Sequence, residues 1–228
     1  TDVENWPGEV EGIMGTQLME NLKAQALRFG TEVVDATVAD IDLSVRPFKM
    51  KTEQGEYEAD AVIVATGASA KWLGVPGEDN LKGKGVSACA TCDGFFFRDK
   101  KIVMVGGGDS AMEEAIFLTR FAETVTVLVR RDELRASKIM QKRAMDNSKI
   151  KFLWNTETKE LIGTDKLESV KVLNNKTQEE TDVPADGFFV AIGHKPNTDF
   201  LNGQIELDEN GYIKNIPGTS KTSLEGVF

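Results

Sequence analysis

Two cysteines, Cys89 and Cys92, are the only ones in the chain, and two residues separate them. That spacing lets the thiols close a small ring, so a disulfide between them can form and open reversibly, as in a redox pair near a βαβ pattern. A structural zinc site takes four ligands, and the single histidine, His194, leaves the set short. The competing reading is two small buried hydrophobes. Asp93 follows directly. A carboxyl group there, raised in pKa by burial, could pass a proton to the leaving thiolate; as a turn residue before Gly94 it needs no such role.

The second constellation is Gly106-Gly107-Gly108-Asp109-Ser110-Ala111, which fits G-x-G-x-x-G/A. The first glycine allows a tight strand-to-helix turn, the second lets backbone approach a pyrophosphate, and the third small residue permits close helix–strand packing. Free N–H groups at the helix N-terminus then meet the phosphates. The motif is weak alone, but here it follows an apolar strand and opens a helix, its required context. Ser110 and Glu113 also predict a capping box. The third constellation is Arg130, Arg131 and Arg135, at and beyond the tip of the next strand. An NAD site would place a carboxylate at that tip. Guanidinium forks suit a 2′-phosphate instead, so the expected nucleotide is NADPH. A solvated basic turn is the plainer reading.

The surrounding pattern supplies elements to hold these groups. Met14, Leu18, Leu22, Ala26 and Phe29 recur at helical spacing, and Gly30 supplies a stop. Residues 31–43 read as β-rich, and 49–52 with 55–58 as short antiparallel strands. The apolar run 60–65 predicts a strand buried on both faces, ending in the small-residue turn 66–69. Residues 72–85 contain six breakers and read as a connection. Strands are expected at 101–105 and 124–130, helices at 110–121 and 137–146, and mostly strands from 151 to 192. Strand, helix and strand around a glycine turn argue for a parallel α/β unit.

Composition excludes some functions. Of 228 residues, 40% are hydrophobic and 28% charged, with a net charge of −10. That balance argues against non-specific nucleic-acid binding, which needs a positive field. No apolar run approaches the roughly 20 residues of a membrane span, and no signal-peptide pattern is visible. The expected location is cytoplasmic. The first residue is Thr, so the sequence reads as excised.

Taken together, the run from Cys89 to Gly94, the run from Val105 to Ala115, and Arg130-Arg131-Asp132 with Arg135-Ala136 resemble the low-molecular-weight, NADPH-dependent thioredoxin reductases of the pyridine nucleotide-disulfide oxidoreductase family. Glu4 to Gly8, Ala65 to Ala70 and Ala191 to His194 match further signatures of that family in the same order.

The resemblance implies an α/β fold of two Rossmann-like dinucleotide-binding domains with antiparallel β-meanders. An FAD domain would occupy residues 1–72 and 194–228, with an inserted NADPH domain at 73–193. Hinges would lie near 71–75 and 193–197. Electrons would pass from NADPH through FAD to the Cys89–Cys92 disulfide, then to thioredoxin by thiol–disulfide exchange. Cys92 would lie nearest the flavin, with Asp93 as proton donor. Asn5, Val38, Thr66 and Gly67 would contact FAD. Gly106, Gly107, Gly108, Asp109, Ser110, Ala111, Arg130, Arg131 and Arg135 would hold NADPH, with Ile192 and Gly193 closing over it. A homodimer is implied. The family's first glycine turn and a later Gly-Asp segment, both FAD anchors, are expected outside this sequence, which weakens its expected hold on FAD. The alternatives are a non-catalytic NADPH-binding fragment or redox sensor, and a flavoprotein that reduces a peroxiredoxin.

Overall fold

A computed structural model describes residues 2, 3 and 5–228. Glu4 of the Glu4-to-Gly8 signature lies outside the described residues. The chain divides into two compact units, one of Thr1–Thr66 with Asn197–Phe228 and the other Gly67–Pro196. The boundaries therefore fall at 66/67, ahead of the first segment expected to be a linker, and at 196/197, within the second.

In the first unit, β1 (Asp2–Val3) pairs antiparallel with β2 (Ile13–Met14) and leads to helix α1 (Gly15–Arg28). Gly30, at φ +86°, ends the helix and donates to the Leu27 carbonyl, as a C′ glycine does. Of the expected apolar stripe, Leu18 is buried, Leu22 and Ala26 are half-buried, and Met14 and Phe29 are exposed. Strands β3 (Val38–Asp42), β4 (Phe48–Thr52) and β5 (Gly55–Ala59) form an antiparallel meander. Ile41, Leu43 and Phe48 pack with Leu201, Ile205 and Val227.

Two expectations fail in this unit. Residues 31–37 form no strand. Side chains hold that backbone instead: the Glu53 carboxylate accepts from Thr37 N–H, and Gln54 Nε2 donates to the Asp35 carbonyl. Residues 60–65 are not buried on both faces. Val62 and Val64 exchange backbone hydrogen bonds with residues 226–228 along one edge, while Ile63 is 78% exposed.

The second unit opens with β6 (Ala68–Ala70), helix α2 (Glu78–Leu81), β7 (Val86–Ser87) and the short helix α3 (Ala90–Asp93). Next come β8 (Lys101–Val105), helix α4 (Asp109–Leu118), β9 (Thr124–Val129), helix α5 (Lys138–Met145) and β10 (Ile150–Trp154). Strands β11 (Thr156–Gly163), β12 (Leu167–Asn174) and β13 (Glu180–Pro184) make an antiparallel sheet. β14 (Gly187–Val190) and β15 (His194–Pro196) complete the unit. The main sheet is parallel, in the order β10-β9-β8-β14-β7.

Alternation sorts its side chains. Ile102, Met104, Val125, Val127 and Phe189 face α4 and α5, where Met112, Ala115, Leu118 and Ala144 meet them. Val103, Leu128, Phe188 and Val190 face the β11–β13 sheet and meet Leu161, Leu167, Val170 and Val172. With both faces covered, the strands read as continuous apolar runs.

The first expected hinge segment, and the second as far as Pro196, are fastened inside this unit. β15 pairs with β6, Lys71 N–H donates to the Gly193 carbonyl, and the buried Glu78 carboxylate accepts from Leu73 and Gly74 N–H at 3.1 and 2.7 Å.

Phe188 is fully buried, so Phe188→Ala is expected to cost about 3–5 kcal/mol. Ile63→Ala, on exposed surface, should stay within about 0.5 kcal/mol. Denaturant unfolding of the two variants checks the difference, and equal losses would contradict this description of the core.

Candidate active site

Cys89 and Cys92 form a disulfide, with Cα atoms 5.3 Å apart. Ser87 Oγ accepts the Cys89 N–H at 3.0 Å. Cys89 Sγ accepts the Cys92 N–H at 3.2 Å, so the sulfur itself caps α3. Cys92 is exposed, whereas Cys89 and Asp93 are half-buried. Beyond Gly94, Phe95 and Phe96 are 61% and 74% exposed and meet edge to face, with the Arg98 guanidinium over the Phe95 ring.

A carboxyl that sequence reasoning passed over lies behind this turn. Glu114, on α4, is half-buried, and its Oε2 is buried without a hydrogen-bond partner. Burial pushes its carboxyl above the ordinary glutamate value. The nearby Ala90 backbone amide opposes that rise, and the charge of Glu113 adds to it. No local pattern could have singled it out.

The glycine turn sits at the C-terminal ends of β8 and β14. From β8 the chain runs to β9 and β10 on one side, while β14 and β7 lie on the other. This is a topological switch point, where open α/β sheets form a ligand crevice. A cleft of about 400 Å³ opens there, lined by Gly106, Gly107, Arg130, Arg131, Arg135 and Ile192, among others.

The turn fits a dinucleotide. Gly106 takes φ +154°, and a Cβ on it would lie 2.4 Å from the Ala191 carbonyl oxygen and 2.7 Å from Ala111 Cβ. A Cβ on Gly108 would meet nothing within 4 Å, so this backbone faces open space at the start of α4. Ala111 is buried against the sheet. Ser110 is exposed and does not cap the helix. Gly108 is the N-cap and α4 begins at Asp109, so the expected capping box does not form.

Asp109 turns to its neighbour. Its exposed carboxylate accepts the Ser137 N–H at 2.9 Å, and bonds from the Ser137 hydroxyl and backbone hold its pKa below the ordinary value. The Gly107 carbonyl accepts from Arg135 and Ala136 N–H at 2.8 and 3.1 Å. The segment carrying Arg135 is thus fastened to the glycine turn. Arg130 and Arg131 are fixed by two asparagines missed in the sequence. Asn175 Nδ2 donates to the Arg130 carbonyl at 2.8 Å, and Asn155 N–H donates to the Arg131 carbonyl at 3.0 Å. Asn155 holds φ +54°, a conformation asparagine tolerates. All three guanidiniums are exposed, against the carboxylates of Glu133 and Glu157 on the same cleft.

The other expected positions are placed as follows. Asn5 is exposed, Val38 is half-buried at the start of β3, and Thr66 exchanges two hydrogen bonds with Asn197, at 2.8 and 2.9 Å. Gly67 takes φ +65° with open space where a Cβ would be. Gly193 follows Ile192 and is exposed at φ +98°. A second cavity, of about 460 Å³, lies beside β3 and β4. Its Lys49 and Lys51 pair with Glu58 and Glu56, and it holds no nucleophile or glycine cradle.

The model of the family described as "Pyridine nucleotide-disulphide oxidoreductase" matches residues 4–228. The chain is 54% identical over 232 residues to a thioredoxin reductase of Chlamydia pneumoniae, covering all of this chain and 75% of that protein. It is 52% identical over 235 residues to a thioredoxin reductase of Debaryomyces hansenii, covering 100% and 73%. Among solved structures, Lactococcus lactis thioredoxin reductase in its FR conformation superposes with a TM-score of 0.78 at 39% identity, covering 100% of this chain and 75% of that one. The parallel sheet with its switch-point cleft, the disulfide and the full-length match agree: the chain belongs to the pyridine nucleotide-disulphide oxidoreductase family, in its group of thioredoxin reductases.

Proposed function

We propose that this chain reduces thioredoxin, carrying electrons from NADPH through FAD to the Cys89–Cys92 disulfide and on to the partner. One observation carries the reading. A single helix, α4, begins at the dinucleotide turn and packs Ala111, Met112, Ala115 and Leu118 around Ala90, in the element that bears an exposed disulfide.

When bound, NADPH supplies a hydride and FAD relays its electron pair. The protein does the rest. Gly106, Gly107 and Gly108 present backbone to the pyrophosphate, and the α4 N-terminus with Ser110 and Ala111 completes that cradle. Arg130, Arg131 and Arg135 would take the 2′-phosphate, on backbone held by Asn175, Asn155 and, through Ser137, Asp109. Ile192 and Gly193 cover the nucleotide. On the flavin side, Asn5, Val38, Thr66 and Gly67 are the contacts in this chain. Gly67 offers unshielded backbone, and the Thr66 hydroxyl, already donating to the Asn197 carbonyl, keeps its lone pairs free to accept.

Reduction of Cys89–Cys92 breaks one S–S bond and takes up two electrons. Asp93, adjoining Cys92, supplies the proton for the thiolate that is not attacking. The attacking thiolate forms a mixed disulfide with the partner. The other thiol then displaces it, which restores Cys89–Cys92 and releases the partner with both its sulfurs reduced. Exposed Phe95 and Phe96 give a protein partner apolar surface to bury beside Cys92. The unit bearing the dithiol serves two electron partners, and its movement is assigned to the chain crossings at 66–67 and 196–197. The family resemblance also suggests a homodimer in the cytoplasm. No helix among the described residues is long and apolar enough to cross a membrane.

Three outcomes are expected of the holoenzyme. Cys92→Ser should abolish NADPH-dependent thioredoxin reduction while NADPH binding persists; turnover that survives would overturn the assignment. Arg130→Ala should raise KM for NADPH about 10- to 100-fold, the worth of a charge-assisted hydrogen bond, and leave KM for NADH within about twofold. Steady-state kinetics with both nucleotides decides this, and equal losses would remove the 2′-phosphate role. Asp109→Ala should raise KM for NADPH about threefold to tenfold through the loosened Arg135 segment, with Asp109→Asn largely restoring it. Should Asn fare no better than Ala in the same assay, Asp109 does not act through Ser137.

A further inference from the structure

Helix α2 is four residues long, yet its first residue, Glu78, is only 2% exposed. A buried carboxylate is costly unless its oxygens are bonded. Each oxygen of Glu78 takes one backbone N–H: Oε1 accepts from Leu73 at 3.1 Å and Oε2 from Gly74 at 2.7 Å. Two successive N–H groups make a concavity that suits an anion, and Gly74 takes φ +71° in that turn. The strap so held is tied on either side. Lys71 N–H donates to the Gly193 carbonyl, and the Pro76 carbonyl accepts from Leu161 N–H, both at 2.9 Å. A Cβ on Gly77 would run into the Leu161 carbonyl. Between these ties, Leu73 and Val75 lie against the cluster that contains Val103, Leu161 and Val190, and they line the nucleotide cleft with Ile192. In the sheet, β9 and β14 flank β8. The cleft therefore has Arg130 and Arg131 at one end, Ile192 with the strap at the other, and the Gly106 turn between them. A dinucleotide with its 2′-phosphate at the arginines and its pyrophosphate at the turn lays its nicotinamide half toward Leu73 and Val75.

We propose that Glu78 is a positioning residue of the nucleotide site: by accepting the Leu73 and Gly74 N–H groups, its carboxylate holds Leu73 and Val75 as the apolar wall that receives the nicotinamide half of NADPH. The proposal rests on the NADPH reading of this cleft. Its physical content is preorganisation. A wall fixed before the ligand arrives loses less conformational freedom when the nucleotide binds. Without the carboxylate, two backbone N–H groups lose their acceptor, and the strap must move or admit water to satisfy them. The far end of the cleft is held by other bonds, from Asn175, Asn155 and the Gly107 carbonyl, so recognition of the 2′-phosphate should not feel the change.

The test is calorimetric titration of the full chain with two probes, NADP⁺ and 2′,5′-ADP. The second carries the adenosine and its 2′-phosphate but no nicotinamide, and neither titration needs flavin or turnover. Glu78→Gln keeps one acceptor oxygen and turns an NH₂ group against the other amide. It is expected to weaken NADP⁺ binding about tenfold, the worth of one hydrogen bond to a charged group, and to leave 2′,5′-ADP within about twofold. NADP⁺ binding that stays within about twofold, or an equal loss with both probes, would overturn the proposal. Hydrogen exchange in the unsubstituted protein needs no variant to fold. The Leu73 and Gly74 amides should be protected before any probe is added, and saturating NADP⁺ should slow exchange across 73–75 further than saturating 2′,5′-ADP does. Exchange at an unprotected rate would refute the clamp, and equal slowing by the two probes would refute the wall. An unsubstituted protein that binds neither probe would instead sink the NADPH reading beneath it.

Discussion

At the end of β8 the chain comes so close to the end of β14 that no side chain fits between them. The Ala191 carbonyl lies 2.4 Å from where a Gly106 Cβ would be, and Ala111 Cβ lies 2.7 Å from it. That approach lets one strand turn into α4 while the other runs on into Ala191 and Ile192, and it opens the crevice where the sheet order reverses. It also fixes where α4 starts, and hence which side chains the helix presents along its length. The first turn offers backbone N–H groups to the cleft, and Ala111, Met112, Ala115 and Leu118 pack around Ala90 of the redox turn. Two chemically different sites are thus indexed to one helix.

The electrostatics of the cleft are organised through backbone. Arg130, Arg131 and Arg135 are exposed side chains, and free in solvent their forks would keep much of their rotamer freedom. What is fixed is the chain beneath them. Asn175 reaches the Arg130 carbonyl, Asn155 N–H the Arg131 carbonyl, Asp109 the Ser137 N–H, and the Gly107 carbonyl the Arg135 N–H. Such a site reduces the cost of ordering long side chains around a phosphate without burying charge in advance.

The chemistry was legible in the sequence because its causes are local. A C-x-x-C ring, a strand–glycine–helix turn and a run of guanidiniums each carry their physics within a few residues. The parallel sheet around them was legible for the same reason, since its strands are apolar on both faces. The hydrophobic run at 60–65 misled because composition does not say which faces are covered: Val62 and Val64 pair along one edge, and Ile63 is left in solvent. Residues 31–37 misled because side chains of Glu53 and Gln54 hold their backbone in place of a ladder. Ser110 failed as a cap because the helix starts one residue earlier, at Asp109. Asn155 and Asn175 were invisible because their partners are distant in sequence; Asn175 acts on a carbonyl 45 residues away.

Arrival of nicotinamide electrons on these two sulfurs is the claim on which the account stands. Its most direct measurement is an anaerobic titration of the FAD-loaded protein with NADPH alone, quenched with an alkylating label and mapped by peptide mass. The account predicts that label appears on both Cys89 and Cys92 as NADPH is consumed, and on neither beforehand. NADPH consumed with both sulfurs still disulfide-bonded would contradict it.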